Sequence, residues 1–238
     1  MKTIKLALFS VLVVLISSCK TTDVQRVLES LANTNQPLSE QTVVAGLKQA
    51  LQVGTENTVF RTNKDGGFSN NPLIKIVVPE KMEKLASTLR KVGLGSQVDK
   101  FELQMNRAAE SAAGEAKEVF FDAISGMSLQ DAWGILRGGD NAATDYFRKN
   151  TETALRQRFQ PIITTNMKKV GFYSDYQKLL DTYNALPLTQ HQDYSVETYV
   201  MDRSLEGLFT LVAEEEAKIR QNPIARTTEL LRKVFSQQ

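Results

Sequence analysis

Between Ser39 and Gln221 apolar residues recur at three- and four-residue spacing, a period that predicts helix after helix. Ser39 suits the cap of a helix with Val43, Leu47 and Leu51 on one face, ending near Arg61 before the turn-rich Asn63-Lys64-Asp65-Gly66-Gly67. Met82, Leu85, Leu89 and Val92 form the next stripe, entered at Pro79 and stopped by Gly93. Ser96 with Asp99 has capping-box spacing and opens a long segment to about Ser125. Its inner face would hold Val98, Phe101, Met105, Ala108, Ala112, Val119, Phe120 and Ala123, with Gly114 breaking or bending it. Ser128 with Asp131 repeats the box for a short helix through Trp133 to Leu136, ended by Gly138-Gly139. Asp140 then caps a helix carrying Ala143, Phe147, Leu155 and Phe159, and Pro161 starts another that Gly171 closes. Tyr173, Tyr176, Leu180 and Tyr183 predict a helix over 172–186, followed by a loop with Pro187, His191 and Asp193. Ser195 caps a long helix to about Gln221 with Val196, Tyr199, Val200, Leu208 and Val212 inside. Asn222-Pro223 starts a last one with Leu230, Leu231 and Val234.

One stretch departs from that period. Asn70-Asn71-Pro72-Leu73-Ile74-Lys75-Ile76-Val77-Val78-Pro79 sets β-branched residues between two prolines. It should be extended, as a short strand or an apolar strap near residues 72–78 laid across helices. No internal repeat is visible and no linker divides the chain after residue 38. The expected fold class is therefore all-α: a single-domain multi-helix bundle over 39–238. A domain of that size buries about 70% of its unfolded surface and needs neither metal nor disulfide.

The first 38 residues read differently. Lys2 and Lys5 precede an apolar run from Leu6 to Ile16, which is too short to span a bilayer and has the form of a secretory signal. Leu15-Ile16-Ser17-Ser18-Cys19 resembles the bacterial lipoprotein signal, in which residues 1–18 are removed and Cys19 is lipidated. The expected boundaries are thus a cleaved signal over 1–18 and a lipidated tether over 19–38, with at most a short helix around Val24 to Leu31. Lys20, rather than an aspartate, follows Cys19. That favours the outer membrane, facing the periplasm, over retention at the inner membrane.

Composition removes most chemistry. The chain has 29 basic and 27 acidic side chains, and residues 1–18 carry two lysines and no acid, so the segment 19–238 is formally neutral. A nucleic-acid partner would call for a strong basic excess. One histidine and one cysteine cannot build the usual zinc ligand set or a di-iron bundle site, and no cofactor motif is present. His191, in a loop, has no nucleophile turn to serve. Glu214-Glu215-Glu216 is expected to be a solvated charge run rather than a cation site, because consecutive helical residues point apart.

Three features keep two readings each. Asn106, Arg107 and Glu110 lie on one helical turn, either as a surface ion pair or as a buried polar node in a packable Met-Asn-Arg-Ala-Ala-Glu-Ser-Ala-Ala run. Gly138-Gly139-Asp140-Asn141 precedes a helix whose free N–H groups could hold an anion, unless Asp140 caps them itself. Five of six tyrosines fall between residues 173 and 199, either as core or as an interface.

Five runs stand out: Val44-Ala-Gly-Leu-Lys-Gln-Ala-Leu-Gln-Val-Gly-Thr-Glu-Asn57, Asn71-Pro-Leu-Ile-Lys-Ile-Val-Val-Pro-Glu-Lys81, Met105-Asn-Arg-Ala-Ala-Glu110, Gly138-Gly-Asp140 with Ala143-Thr-Asp-Tyr-Phe-Arg148, and Pro223-Ile-Ala-Arg-Thr-Thr-Glu-Leu-Leu231. Together they resemble the bacterial domain of unknown function 4197 family. The resemblance spans about residues 39–236, with Val77 and Ile224 as departures. It implies an architecture and a bacterial envelope setting, without a reaction.

The expected function is a non-enzymatic, lipid-anchored periplasmic module that binds an envelope protein, polymer or apolar ligand and meets the membrane through acyl chains on Cys19. Its alternatives are a carboxylate-dependent hydrolase of cell-wall sugar or peptide and a purely structural tether. Asn71, Asn106, Arg107, Glu110, Asp140, Thr144 and Arg226 are the candidate polar residues, expected as one converging cluster.

Overall fold

A computed structural model describes residues 39–169, 171–185 and 196–221. Its elements are α1 (Glu40–Thr62), a 3-10 turn (Glu80–Met82) leading into α2 (Glu83–Lys91), α3 (Gly95–Ala112), a 3-10 turn (Ala113–Glu115), α4 (Ala116–Ser125), α5 (Leu129–Arg137), α6 (Ala142–Lys169), α7 (Phe172–Asn184) and α8 (Val196–Gln221). Every regular element among the described residues is a helix, as the apolar period predicts. The long α6 packs between α3 and α8, while α1 lies against α8, α4 and α5. Phe120 of α4 meets Phe147 of α6 at 4.8 Å and Phe209 of α8 at 6.1 Å, so one aromatic cluster ties three helices together. α7 closes over α3, where Tyr176 stacks on Phe101.

Local chemistry explains where the helices stop. Gly93 and Gly171 take left-handed backbone at the ends of α2 and α6. The box at Ser128 and Asp131 forms reciprocally and starts α5. Its hydrogen bonds from the Ser128 hydroxyl and backbone N–H hold the Asp131 carboxyl below its ordinary range. A carboxylate depressed by folding stabilises the fold above its unfolded pKa, and that contribution disappears as pH falls through the folded value. Asp131→Asn should therefore be less stable than the parent at neutral pH and converge on it in acid. Denaturant titrations of both proteins across pH check this.

Elsewhere the structure corrects the pattern. Ser96 does not cap α3, which starts at Gly95 without a side-chain cap, because Asp99 turns to Arg90 at 3.1 Å instead. Pro161 does not begin a helix but lies inside α6. Residue 161 and the Gln157 carbonyl four positions earlier are on the solvent side, so water can take the freed acceptor while Phe159 and Ile163 stay buried. Val92 ends α2 in solvent rather than in the core, and Val44 and Ile124 are buried in place of the expected Val43 and Ala123. Gly114 does interrupt the long segment, in the 3-10 turn between α3 and α4. The tether, Ser195, the loop with His191, and the expected last helix lie outside the described residues.

Candidate functional site

The chain leaves α1 through Gly66, with φ of 83°, and Gly67, where a Cβ would lie 2.3 Å from the Thr62 carbonyl oxygen. Phe68 then turns fully inward, and from Ile74 the side chains alternate. Ile74, Ile76 and Val78 are buried, while Lys75 and Val77 face out. This is strand periodicity without a neighbouring strand, so the expected strap is what forms. Its buried backbone groups still need partners.

α3 supplies them from its side chains. The Asn106 carbonyl oxygen accepts from the Ile76 N–H at 2.9 Å, and its amide nitrogen donates to the Ile76 carbonyl at 2.7 Å and to the Glu102 carbonyl at 2.7 Å. Glu102 accepts from the Val78 N–H at 3.3 Å. One oxygen of Glu110 accepts from the Phe68 N–H, the Ser69 N–H and the Ser69 hydroxyl, each at 3.1 Å. Glu102, Asn106 and Glu110 are spaced i, i+4 and i+8, hence stacked on one helix face. That face does what an adjacent strand would do. On the other side the strap rests against α8 at Gly207, where a Cβ would sit 2.8 Å from the Phe68 ring and 3.0 Å from Ile74. Tyr199 donates its hydroxyl to the Val77 carbonyl at 3.0 Å.

Both carboxylates are buried, and each has a cation. Arg107 reaches Glu110 at 2.8 Å and Asp65 at 2.6 Å. Arg90 and Lys75 flank Glu102 at 3.5 and 3.9 Å. Of the two readings of Asn106, Arg107 and Glu110, the structure therefore has the buried node, with Arg107 at its rim. Asn71 shapes the turn before the strap, its side-chain oxygen accepting from the Leu73 N–H and its carbonyl from Ile74 and Lys75.

The remaining candidates do not converge here. Thr144 belongs to a second network at the start of α6, where Glu216 of α8 accepts from the Ala143 N–H at 2.9 Å, the Thr144 N–H at 2.9 Å and the Thr144 hydroxyl at 2.8 Å. Asp140 is exposed and caps neither of these N–H groups. The anion that the helix terminus attracts is a carboxylate from the same chain. Arg220 completes this node, at 2.8 Å from Glu216 and 2.9 Å from the Ile135 carbonyl. Arg226 and Cys19 lie outside the described residues.

The acidic triplet is likewise not a solvated run. Glu215 and Glu216 are buried, and Glu215 accepts from Asn57, Arg61 and Lys218, whereas Glu214 pairs with Arg61 at the surface. The three do point apart, but two of the directions lead inward. A sequence signal exists, since Glu215 and Glu216 stand four residues after Leu211 and Val212, on the buried stripe of α8. Glu102, four residues before Asn106, carries the same kind of signal.

Of the tyrosines in this range, Tyr173, Tyr176 and Tyr199 are half-buried links rather than full core. Tyr173 donates to Glu197 at 2.6 Å, and burial together with that hydrogen bond pushes its hydroxyl up to about 12. Asp175 is held low by hydrogen bonds from Lys100 and Gln104, joining α7 to α3.

Beside the polar row lies an open groove of about 330 Å³, lined by Ser69, Lys75, Asp99, Leu103 and Arg107 among others. Leu73 and Val77 project from the strap with 64% and 44% of their surface exposed, and Leu103 is 44% exposed. Among the described residues no group of His, Cys, Asp and Glu could hold a metal ion, and no helix is long and apolar enough to cross a membrane.

A family model described as a protein of unknown function (DUF4197) matches residues 37–236. The chain belongs to this family. The match takes in every described helix, so strap, polar row and the Glu216 node are all parts of one DUF4197 domain. Comparison with curated proteins and with solved structures finds no match.

Proposed function

We propose that this DUF4197 protein is a lipid-anchored module of the bacterial envelope, held through acyl chains on Cys19 at the outer membrane and facing the periplasm, and that it binds a partner rather than catalysing a reaction. The observation that carries the binding reading is the saturation of its buried acids. Glu102, Glu110, Glu215 and Glu216 each accept from donors inside the fold. A general acid or base must reach its substrate, and the oxygens of these carboxyl groups are engaged by donors of the fold. Glu102 and Glu110 are also separated by about 12 Å along α3. Glycosidase pairs stand about 5–5.5 Å or 6.5–9.5 Å apart. A surface available for recognition is the outer face of the strap, with Leu73 and Val77, and the groove beside it.

The anchor reading rests on Lys2, Lys5, the apolar run, Ser17-Ser18-Cys19 and the absence of aspartate at position 20. One acyl chain alone holds a protein only marginally, so several on one cysteine are required for lasting attachment. Cys19→Ser should move the protein from the membrane pellet to the soluble periplasmic fraction. Persistence in the pellet would remove the anchor. Release of soluble fragments from purified cell wall by the intact protein, abolished by a single carboxylate variant of unchanged stability, would replace binding by hydrolysis.

A further inference from the structure

The solvent side of α3 carries one further row. Asp99, Leu103 and Arg107 stand at i, i+4 and i+8, so they follow one another along the helix, and all three line the groove beside the strap. Of the six large apolar side chains exposed among the described residues, three belong to this face: Leu103 on the helix, and Leu73 and Val77 on the strap. Exposed apolar surface rimmed by polar groups marks an interaction site.

The charges say which partner fits. Asp99 stands four residues before Leu103 and Arg107 four after it, about 6 Å along the axis in each direction. The row therefore reads acid, apolar, base, and it is complementary to itself when reversed. A second copy laid antiparallel across it, with the two-fold axis at Leu103, brings each Asp99 to the partner's Arg107 and Leu103 to Leu103. In the commonest helix crossing the i±4 rows of both helices run alongside one another, which is the geometry this pairing needs. A parallel copy would set like charge against like. Both charges keep a free edge, since Asp99 meets Arg90 through Oδ1, and Arg107 meets Asp65 and Glu110 through Nη1. Lys75, Arg90 and Lys100, the other cations around the row, each pair with an acid of the same chain, so no strong like-charge field keeps two copies apart.

We propose that this face is a homodimer interface in which the α3 helices of two copies cross antiparallel at Leu103. The proposal rests on the reading above that the face recognises a partner, and it names that partner as a second molecule of this chain. Sedimentation of the full chain carrying Cys19→Ser should show a monomer–dimer equilibrium. Leu103→Glu or Asp99→Arg should weaken it at least tenfold, the first by setting two acids across the axis and the second by setting Arg against the partner's Arg107. Both positions are exposed, so the helix content of these variants stays that of the parent. With Leu103→Cys as the only thiol, a short bis-maleimide should link copies in high yield. Leu129→Cys, comparably exposed on α5, is the control and should not. A monomer at every concentration, or equal linkage from the two cysteines, would overturn the proposal. In cells, the otherwise native chain with photo-crosslinking benzoylphenylalanine at position 103 separates the two readings. An adduct of twice the chain's mass supports the dimer. Adducts only with a different protein would overturn the dimer and leave the recognition reading standing, whereas no adduct at all would overturn both.

Discussion

Asn106→Ala should lower the unfolding free energy by about 3–5 kcal/mol, because it strands a buried N–H and a buried C=O as well as removing three hydrogen bonds. Asn106 is fully buried, and both of its strap contacts go to the backbone of one residue, Ile76, which is itself fully buried. Neither group of Ile76 has a strand to turn to. For a domain of this size the loss corresponds to a fall in Tm of roughly 10 °C or more. Asn106→Asp is the sharper probe. It keeps an acceptor for the Ile76 N–H but sets a charge against the Ile76 and Glu102 carbonyls, so it should be destabilised comparably although the shape is preserved. Arg107→Ala, at the rim of the same node with its side chain 37% exposed, should cost about 1 kcal/mol or less. Denaturant unfolding of the three variants ranks them directly. Equal and small effects would mean that the strap holds without the row.

The second large effect belongs to Glu216. Glu216→Ala leaves the Ala143 and Thr144 N–H groups without their acceptor and Arg220, only 15% exposed at its side chain, without its counter-charge. Breaking one side of a buried pair costs about 3–5 kcal/mol, mainly through the charge left behind. Glu216→Gln keeps one acceptor oxygen and should lose less. Adding Arg220→Met to Glu216→Ala should recover part of the loss, since the orphaned charge goes with it. A double-mutant cycle by denaturant unfolding measures that recovery. Strict additivity of the two substitutions would contradict the assignment.

These two sites also show which parts of the fold are legible in the sequence. Phe101, Met105, Phe120, Phe147 and Leu208 fall at helical spacing and are buried as expected, because burial of a regular stripe is a local property. The strap is legible too, since two prolines around β-branched residues permit little else. Sequence and structure part where a local signal meets a distant competitor. Asp140 is well placed to cap α6, yet Glu216, more than 70 residues away, takes its N–H groups. Asp99 has box spacing with Ser96 but pairs with Arg90. Pro161 has a helix-starting form, overridden by Phe159 and Ile163 in the core.

The candidate residues divide for the same reason. Asn106, Arg107 and Glu110 are conspicuous as polar groups in a packable run, and they do act together. Thr144 and Asp140 are conspicuous through the glycines before them, which mark a helix start and nothing about its partner. Glu102, Glu215 and Glu216 escape notice because charge alone reads as solvent. Their positions on buried stripes, four residues from Asn106, Leu211 and Val212, are the usable signal.

One row of α3 side chains holds the strap and leaves its outer residues exposed. Amide hydrogen exchange along residues 74–78 of the full chain reads this arrangement residue by residue. An irregular segment open to water exchanges quickly, whereas groups bonded in the core open only with larger unfolding events. The Ile76 and Val78 amides should exchange as slowly as those of the middle of α3, with the outward Val77 amide far faster between them. Asn106→Ala should abolish the protection at Ile76. Uniformly rapid exchange of Ile76, Val77 and Val78 in the parent protein would mean that the α3 side chains do not hold the strap.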